Sequence, residues 1–184
     1  MDIFYATPFS LEKNLGKAYN DYVKRVAQRD DDWVFFIDGD SMFLDPFWGK
    51  HISDIVHKYP NTGLFTCKTN RVGCLLQCNN FVRSQEPDMM KHFWVSEELK
   101  QKKYWDVSKV KHVISGIMMG FSFKTWKEVG GFSENPKEIL KVDNRFSSRI
   151  LRSGKQILMM EGVYLLHYYR LHQPNAKRAK AHLL

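Results

Sequence analysis

The run Trp33-Val34-Phe35-Phe36-Ile37-Asp38-Gly39-Asp40 decides how this chain folds. Its first five residues are all aromatic or β-branched and leave no polar face, which predicts a strand buried on both sides, as in the middle of a parallel sheet. The strand then stops at two carboxylates separated by one glycine. In open α/β sheets ligands bind at the carboxyl ends of strands. Asp38 and Asp40 crowd like charge onto a tight turn unless a cation or a donor-rich loop compensates, and oxygen ligands of this kind suit Mg²⁺ or Mn²⁺. The plainer reading is an ordinary strand-to-loop turn, where Asp-Gly is common.

Outward from this run, strand and helix signals alternate. Ile3-Phe4-Tyr5-Ala6, closed by Thr7-Pro8, predicts a first buried strand. Leu15, Ala18, Tyr19, Tyr22, Val23 and Val26 recur at helical spacing, with Ser10 or Asn14 as the cap. Asp45-Pro46 supplies an N-cap and first-turn proline for a helix that buries Phe47, Trp48, Ile52, Ile55 and Val56 and ends before Pro60. Residues 63–67 predict another strand. Residues 79–112 predict an excursion from the sheet, helical only around 89–99. Beyond it come a strand at 117–123, a short helix at 124–129, a turn at Gly130-Gly131 with positive φ, a helix at 143–151 ended by Gly154, and two closing strands at 156–160 and 163–167.

Composition bounds the rest. The 184 residues, 43% apolar and 14% aromatic, suit one domain over residues 1–170 with a continuous core. No apolar run approaches the ~20 residues of a membrane span, and Met1-Asp2 opens without a basic leader, so a cytoplasmic protein is expected. The net charge of +8 favours a polyanionic partner. Part of that excess lies at the end, where Arg170, Lys177, Arg178 and Lys180 follow with no acid after Glu161; residues 171–184 read as a basic tail, suited to peripheral contact with an anionic membrane. Cys67, Cys74 and Cys78 fit neither a disulfide framework nor a four-ligand zinc site and read as reduced thiols, a zinc site completed by a distant histidine being the alternative.

In this order along the chain, several segments resemble the GT-A glycosyltransferases, the large family-2-like group in particular. The resemblance covers residues 14–170. Asn14-Leu15-Gly16-Lys17-Ala18-Tyr19-Asn20 is similar to that group's helix before the DxD strand, and residues 33–40 to the strand and its DxD motif. Ser115-Gly116-Ile117-Met118-Met119-Gly120-Phe121, Trp126-Lys127-Glu128-Val129-Gly130-Gly131-Phe132 and Val142-Asp143-Asn144-Arg145-Phe146 follow in the matching sequence. Tyr164-Leu165-Leu166-His167-Tyr168-Tyr169-Arg170 resembles the late strand whose histidine is a further metal ligand. The implied fold is GT-A: a Rossmann-like α/β single domain of the nucleotide-diphospho-sugar transferase type with a mainly parallel central sheet. Its N-terminal half is shortened, because almost nothing stands between Pro8 and Asn14 where a helix, a strand and an acidic pair are usual.

The resemblance implies transfer of a sugar from a nucleotide-sugar donor to a hydroxyl-bearing acceptor, with inversion and with Mn²⁺ or Mg²⁺. Asp40 would coordinate the metal, Asp38 would support the metal or the ribose, His167 would be a further ligand and Asp143 the general base. Thr7 and Pro8 would line the nucleobase pocket, Asn20 belongs to the nucleotide-binding helix, and Lys17 and Arg71 are candidates for phosphate contact. Trp94, Trp105 and Trp126 are candidates either for sugar stacking or for the core, and the 79–112 excursion for an acceptor-side flap. Val142 stands where an acidic partner of the base is usual, so a catalytically silent relative is one alternative. A nucleotidyltransferase would need a Gly-rich basic loop after the first strand, which Ala6-Thr7-Pro8-Phe9-Ser10 is not. A basic nucleotide- or nucleic-acid-binding module would account for the charge but leaves Asp38, Asp40 and Asp143 unexplained.

Overall fold

Residues 33–37 form the strand that the sequence predicts, and alternation along it divides the core in two. Val34 and Phe36 face one layer, with Tyr19, Val23, Phe121, Phe132, Phe146 and Ile150. Trp33 and Phe35 face the other, with Ile52, Ile55, Val56, Phe65 and Leu158. A computed structural model describes residues 1–169 and 171, and for residues 138–140 the backbone alone. Its regular elements are β1 (Ile3–Ala6), α1 (Leu15–Val26), β2 (Trp33–Ile37), β3 (Ser41–Phe43), α2 (Trp48–Lys58), β4 (Leu64–Thr69), α3 (Met89–Lys103), β5 (Val107–Val110), β6 (Met118–Ser122), α4 (Phe123–Glu128), α5 (Val142–Arg152) and β7 (Ile157–His167).

The seven strands make one open mixed sheet in the order β1-β2-β6-β4-β7-β3, with β5 also on β7. β1 and β2 are parallel, β4 and β7 are parallel, and β6 lies antiparallel between β2 and β4. Four strands, β1, β2, β4 and β7, therefore run one way, and their carboxyl ends share one edge of the sheet. The fold is α/β with mostly parallel core strands, and β3, β5 and β6 are the reversed ones.

Two expectations are corrected. The two closing strands are a single one: Cys67 pairs with Met160 and Lys68 with Tyr164, so Glu161, Gly162 and Val163 bulge out of a continuous β7. Gly162 looks like a strand break but serves a close approach, since a Cβ there would lie 2.5 Å from the Lys103 carbonyl oxygen. The 79–112 segment also does not stay outside the sheet, because β5 returns to pair with the first half of β7. Its helix is anchored: His92, fully buried, bonds the Tyr164 hydroxyl at 2.7 Å and the Glu86 carbonyl at 2.8 Å, which counts against a loose flap.

Local signals account for most helix ends. Asn14 caps α1 by accepting the Lys17 N–H at 3.0 Å. Asp45 accepts the Phe47 N–H at 2.9 Å just ahead of α2, and Phe47, expected on the buried face of that helix, precedes it and is exposed. Gly130 and Gly131 have φ of 79° and 65° and Gly154, after α5, has 78°, as expected. Leu171, assigned to the basic tail, is instead buried with Val95, Leu99, Tyr164 and Leu166. The basic stretch itself, Arg170 with 172–184, lies outside the described residues. Among the described residues no helix is long and apolar enough to cross a membrane.

Gly120 shows how tightly the layers close. It pairs with Phe35 in the β2–β6 register, and a Cβ on it would lie 2.0 Å from the Phe35 ring, itself fully buried. Gly120→Ala is therefore expected to destabilise by about 2–3 kcal/mol, as overpacking of a dense core does. A urea titration checks this, and an unchanged midpoint would mean that the Phe35 ring has room to move.

Candidate metal and catalytic site

The carboxyl ends of β2, β4 and β7 meet the amino end of β6 at one edge, and backbone hydrogen bonds assemble the site there. Asp38 N–H donates to the Ile117 carbonyl at 3.1 Å, which carries the β2–β6 ladder one step past the strand. The Ser41 hydroxyl donates to the Asp38 carbonyl at 2.5 Å and closes the Asp38-Gly39-Asp40 turn. Tyr168 N–H donates to the Asp40 carbonyl at 2.8 Å and ties that turn to the end of β7. Asp38, Asp40 and His167, far apart in sequence, so come to offer ligand atoms that all lie within 4.8 Å of one another.

His167 is the most constrained of the three. Asn70, buried at the end of β4, accepts the His167 N–H at 2.8 Å and donates to the His167 carbonyl at 3.1 Å. The ring nitrogen Nδ1 lies 2.6 Å from the Arg71 carbonyl oxygen. A carbonyl oxygen only accepts, so Nδ1 carries the hydrogen, and this leaves Nε2 turned on Asp40 Oδ1 at 3.3 Å. In the neutral ring that nitrogen is a lone pair facing a carboxylate. Two acceptors so placed are completed by a cation, and a ring fixed through its second nitrogen is the usual support of a metal-binding imidazole. The residues present thus fit a divalent ion: one imidazole nitrogen and two carboxylates, a donor set that suits Mn²⁺ and, through its oxygens, Mg²⁺.

Charge is concentrated around Asp38. Burial pushes its carboxyl up to about 6; His167 opposes the rise, and the charges of Asp40 and Asp143 add to it. Asp143 opens α5 as expected. Its Oδ2 accepts the Gly116 N–H and its Oδ1 the Asn144 N–H, each at 2.7 Å. Burial raises its carboxyl above the ordinary carboxylate range, while these backbone donors hold it back. A carboxylate with that balance keeps a fixed orientation and an enhanced affinity for a proton.

The other anticipated residues divide. Thr7 lies against the turn, its methyl 3.2 Å from where a Cβ on Gly39 would be. Pro8 and Lys17 share a groove of about 340 Å³ with Phe9, Tyr22 and Arg25, in which Asp38, Asp40 and His167 take no part. Lys17 is exposed there and bonded to Asp21 at 2.6 Å. Arg71 meets the site through its carbonyl, a contact that its side-chain type does not announce. Asn20 is placed differently from the expectation. Its amide donates to the Phe132 carbonyl at 3.0 Å and to Glu134 at 2.8 Å, and it accepts from Trp126 Nε1 at 3.1 Å and Phe132 N–H at 2.8 Å. Its hydrogen-bonding capacity holds the 131–134 loop and leaves nothing for a nucleotide. Trp94 and Trp105 are exposed, while Trp126 is half-buried. All three cysteines are free thiols, and burial pushes Cys67 up beyond the thiol range. Among the described residues no cysteine belongs to a metal-binding group.

Three supporting residues escaped the sequence reading. Asn70 could have been found by the rule that singled out Asp38, since it too follows a buried strand. Gln77, fully buried, donates to Thr66 Oγ1 at 2.7 Å and to the Ser115 carbonyl at 3.0 Å, and accepts the Ser115 N–H at 2.8 Å. Gln77 and Ser115 thereby fix the 115–116 segment on which Asp143 docks; neither carries a local signal. Set against known proteins, the sequence matches no family model and no curated protein.

Proposed function

We propose that this protein is a metal-dependent glycosyltransferase of GT-A type, which transfers a sugar from a nucleoside-diphosphate donor to a hydroxyl acceptor with inversion. The observation that carries the reading is the convergence of Asp38, Asp40 and His167 at one sheet edge, with Nε2 held toward Asp40 and the charge of Asp143 acting on Asp38. A bound Mn²⁺ or Mg²⁺ would supply the positive charge that a departing diphosphate requires. Asp38, Asp40 and His167 would hold that ion.

The remaining chemistry belongs to the chain. The acceptor oxygen bonds to the anomeric carbon as the bond from that carbon to the diphosphate oxygen breaks, and the electron pair leaves with the nucleoside diphosphate. Asp143 takes the hydroxyl proton, for which burial has raised its affinity. The two backbone N–H groups on its oxygens fix the carboxylate's orientation. A single displacement of this kind inverts the configuration. Thr7 beside the metal turn and the groove at Pro8 and Lys17 offer room for the nucleoside, although Lys17 must leave Asp21 to meet phosphate.

The test is a thermal-shift screen of uridine, guanosine, cytidine and thymidine diphosphates with and without Mn²⁺. At 100 times its dissociation constant the matching nucleotide stabilises by about 2.7 kcal/mol, or roughly 5–11 °C in a domain of this size. The shift is expected with one or more nucleotides, only with Mn²⁺, and not in Asp40→Asn. If no nucleotide shifts the wild type, the reading fails and a catalytically silent relative takes its place.

A further inference from the structure

Two tyrosines follow His167 directly, and the backbone fixes them while their rings stay open to solvent. Tyr168 N–H donates to the Asp40 carbonyl at 2.8 Å, and the Tyr168 carbonyl accepts the Leu171 N–H at 3.0 Å. Leu171 is itself buried with Val95, Leu99, Tyr164 and Leu166, so the chain is anchored on both sides of the pair. The rings are not spent on the core: Tyr168 is 39% and Tyr169 50% exposed. The Tyr169 ring lies 5.9 Å from the His167 imidazole, with their planes 20° apart. The Tyr168 hydroxyl meets sulfur, that of Met42 at 3.7 Å and that of Met89 at 4.0 Å. Sulfur is a weak acceptor, so this hydroxyl keeps its capacity for a stronger partner.

The position of the pair separates it from the groove at Pro8 and Lys17. That groove is lined by the chain after β1 and by α1, and β1 stands at one end of the strand order β1-β2-β6-β4-β7-β3. The tyrosines stand at the other end, after β7 and against Met42 of β3. The turn that carries Asp38 and Asp40 follows β2 and reaches His167 between them. A donor whose nucleoside occupies the groove and whose diphosphate meets the ion leaves the tyrosine side for the second substrate.

The chemistry of that side selects a sugar. A tyrosine offers an apolar ring face and a polar tip. A pyranose offers the complement, a face of C–H groups within a rim of hydroxyls, which neither a serine side chain nor a fatty chain brings. Met42 and Met89, 38 and 37% exposed, extend the apolar wall and adapt to its shape. The Asp40 carboxylate, 48% exposed beside His167, accepts hydrogen bonds from hydroxyls and repels an anion. We infer that Tyr168 and Tyr169 form a binding platform for an uncharged sugar ring; on the glycosyl-transfer reading, on which this last step rests, that ring is the acceptor.

The test is saturation-transfer NMR on the full chain, without nucleotide, against the methyl glycosides of glucose, galactose, mannose, N-acetylglucosamine and N-acetylgalactosamine. Glucuronate, glycerol and an acetylated serine amide are the controls. At least one neutral glycoside is expected to bind saturably and none of the controls to match it. Tyr169→Ala is expected to weaken that binding at least about tenfold, because the ring's apolar burial is lost, and Tyr169→Trp to retain it. Tyr168→Phe keeps the ring and loses the hydroxyl, and is expected to weaken binding about threefold to tenfold, the range of one hydrogen bond. Both side chains are exposed, and unchanged melting temperatures confirm folding. The variants are expected to bind Mn²⁺ as the wild type does. The inference is overturned if no glycoside saturates, if a control binds as tightly, or if Tyr169→Ala leaves binding unchanged. Joint loss of glycoside and Mn²⁺ binding also overturns it, since the tyrosines would then be supports of His167. No nucleotide enters this assay, so the two readings can fail separately: a glycoside bound without any nucleotide shift marks a sugar-binding protein that transfers nothing, and a nucleotide bound without any glycoside marks a transferase whose acceptor is not a sugar.

Discussion

Asp143→Asn is expected to bind Mn²⁺ and the nucleoside diphosphate as the wild type does and to transfer sugar about 10²–10⁴-fold more slowly, the range that a lost general base commands. The amide keeps the size of the carboxylate and can still accept the Gly116 N–H, so the 115–116 segment stays in place. What it loses is the capacity to take a proton. One cost accompanies the change: the carboxylate serves two backbone donors, Gly116 N–H and Asn144 N–H, and an amide oxygen and NH₂ group cannot satisfy both. A stability loss of about 1–2 kcal/mol is therefore expected alongside the kinetic defect, and the rate is measured well below the variant's melting temperature. If the variant's kcat equals that of the wild type, Asp143 is not the base and its place at the head of α5 is structural.

How much of this was legible in the sequence depends on how local each cause is. β2 announced itself because both faces of the sheet are covered, which removes every polar residue from five consecutive positions. Asp38 and Asp40 were legible because they end that strand, whereas Asp143 was singled out by the family resemblance alone. β3 was not legible: three residues are too few for a pattern, and Ser41-Met42-Phe43 is a strand only because the end of β7 lies beside it. β5 was hidden by its edge position, where Ser108 and Lys109 meet solvent and break the apolar run. The contacts of Asn20 were not legible for the opposite reason, since the loop it holds lies 112 residues further on and its amide type suits a ligand as well as a backbone. The Arg71 carbonyl that orients His167 could not be read at all, because every residue has a carbonyl and only the fold decides which one a ring nitrogen meets.

A stability effect as large as that at Gly120 is expected at Asp38, and its sign depends on pH and metal. In the unfolded chain this carboxyl titrates at its ordinary value of 3.8, whereas in the metal-free fold burial holds it at about 6. A raised carboxyl binds its proton more tightly in the native state. Its stabilisation is fully present below the unfolded value and is lost as pH rises through about 6. At pH 7.5 the metal-free wild type therefore carries a charged, half-buried carboxylate beside Asp40 and Asp143, an arrangement that opposes folding by about 2–3 kcal/mol. Asp38→Asn removes that charge without changing the side chain's size. The variant should be more stable than the wild type by about that amount at pH 7.5 without metal, and nearly equal to it at pH 3.5, where the wild-type carboxyl is mostly protonated in both states. Saturating Mn²⁺ should reverse the order, since the ion stabilises the fold only where both carboxylates can meet it. Urea titrations at the two pH values, with EDTA or Mn²⁺, measure all four quantities. If the variant is no more stable than the wild type in EDTA at pH 7.5, the strain assigned to Asp38 does not exist; if Mn²⁺ stabilises both proteins equally, Asp38 is not one of its ligands. The coupling has a structural cause: the placement that makes Asp38 costly without metal would also let it share one ion with Asp40 and His167, whose ligand atoms lie within 4.8 Å of its own.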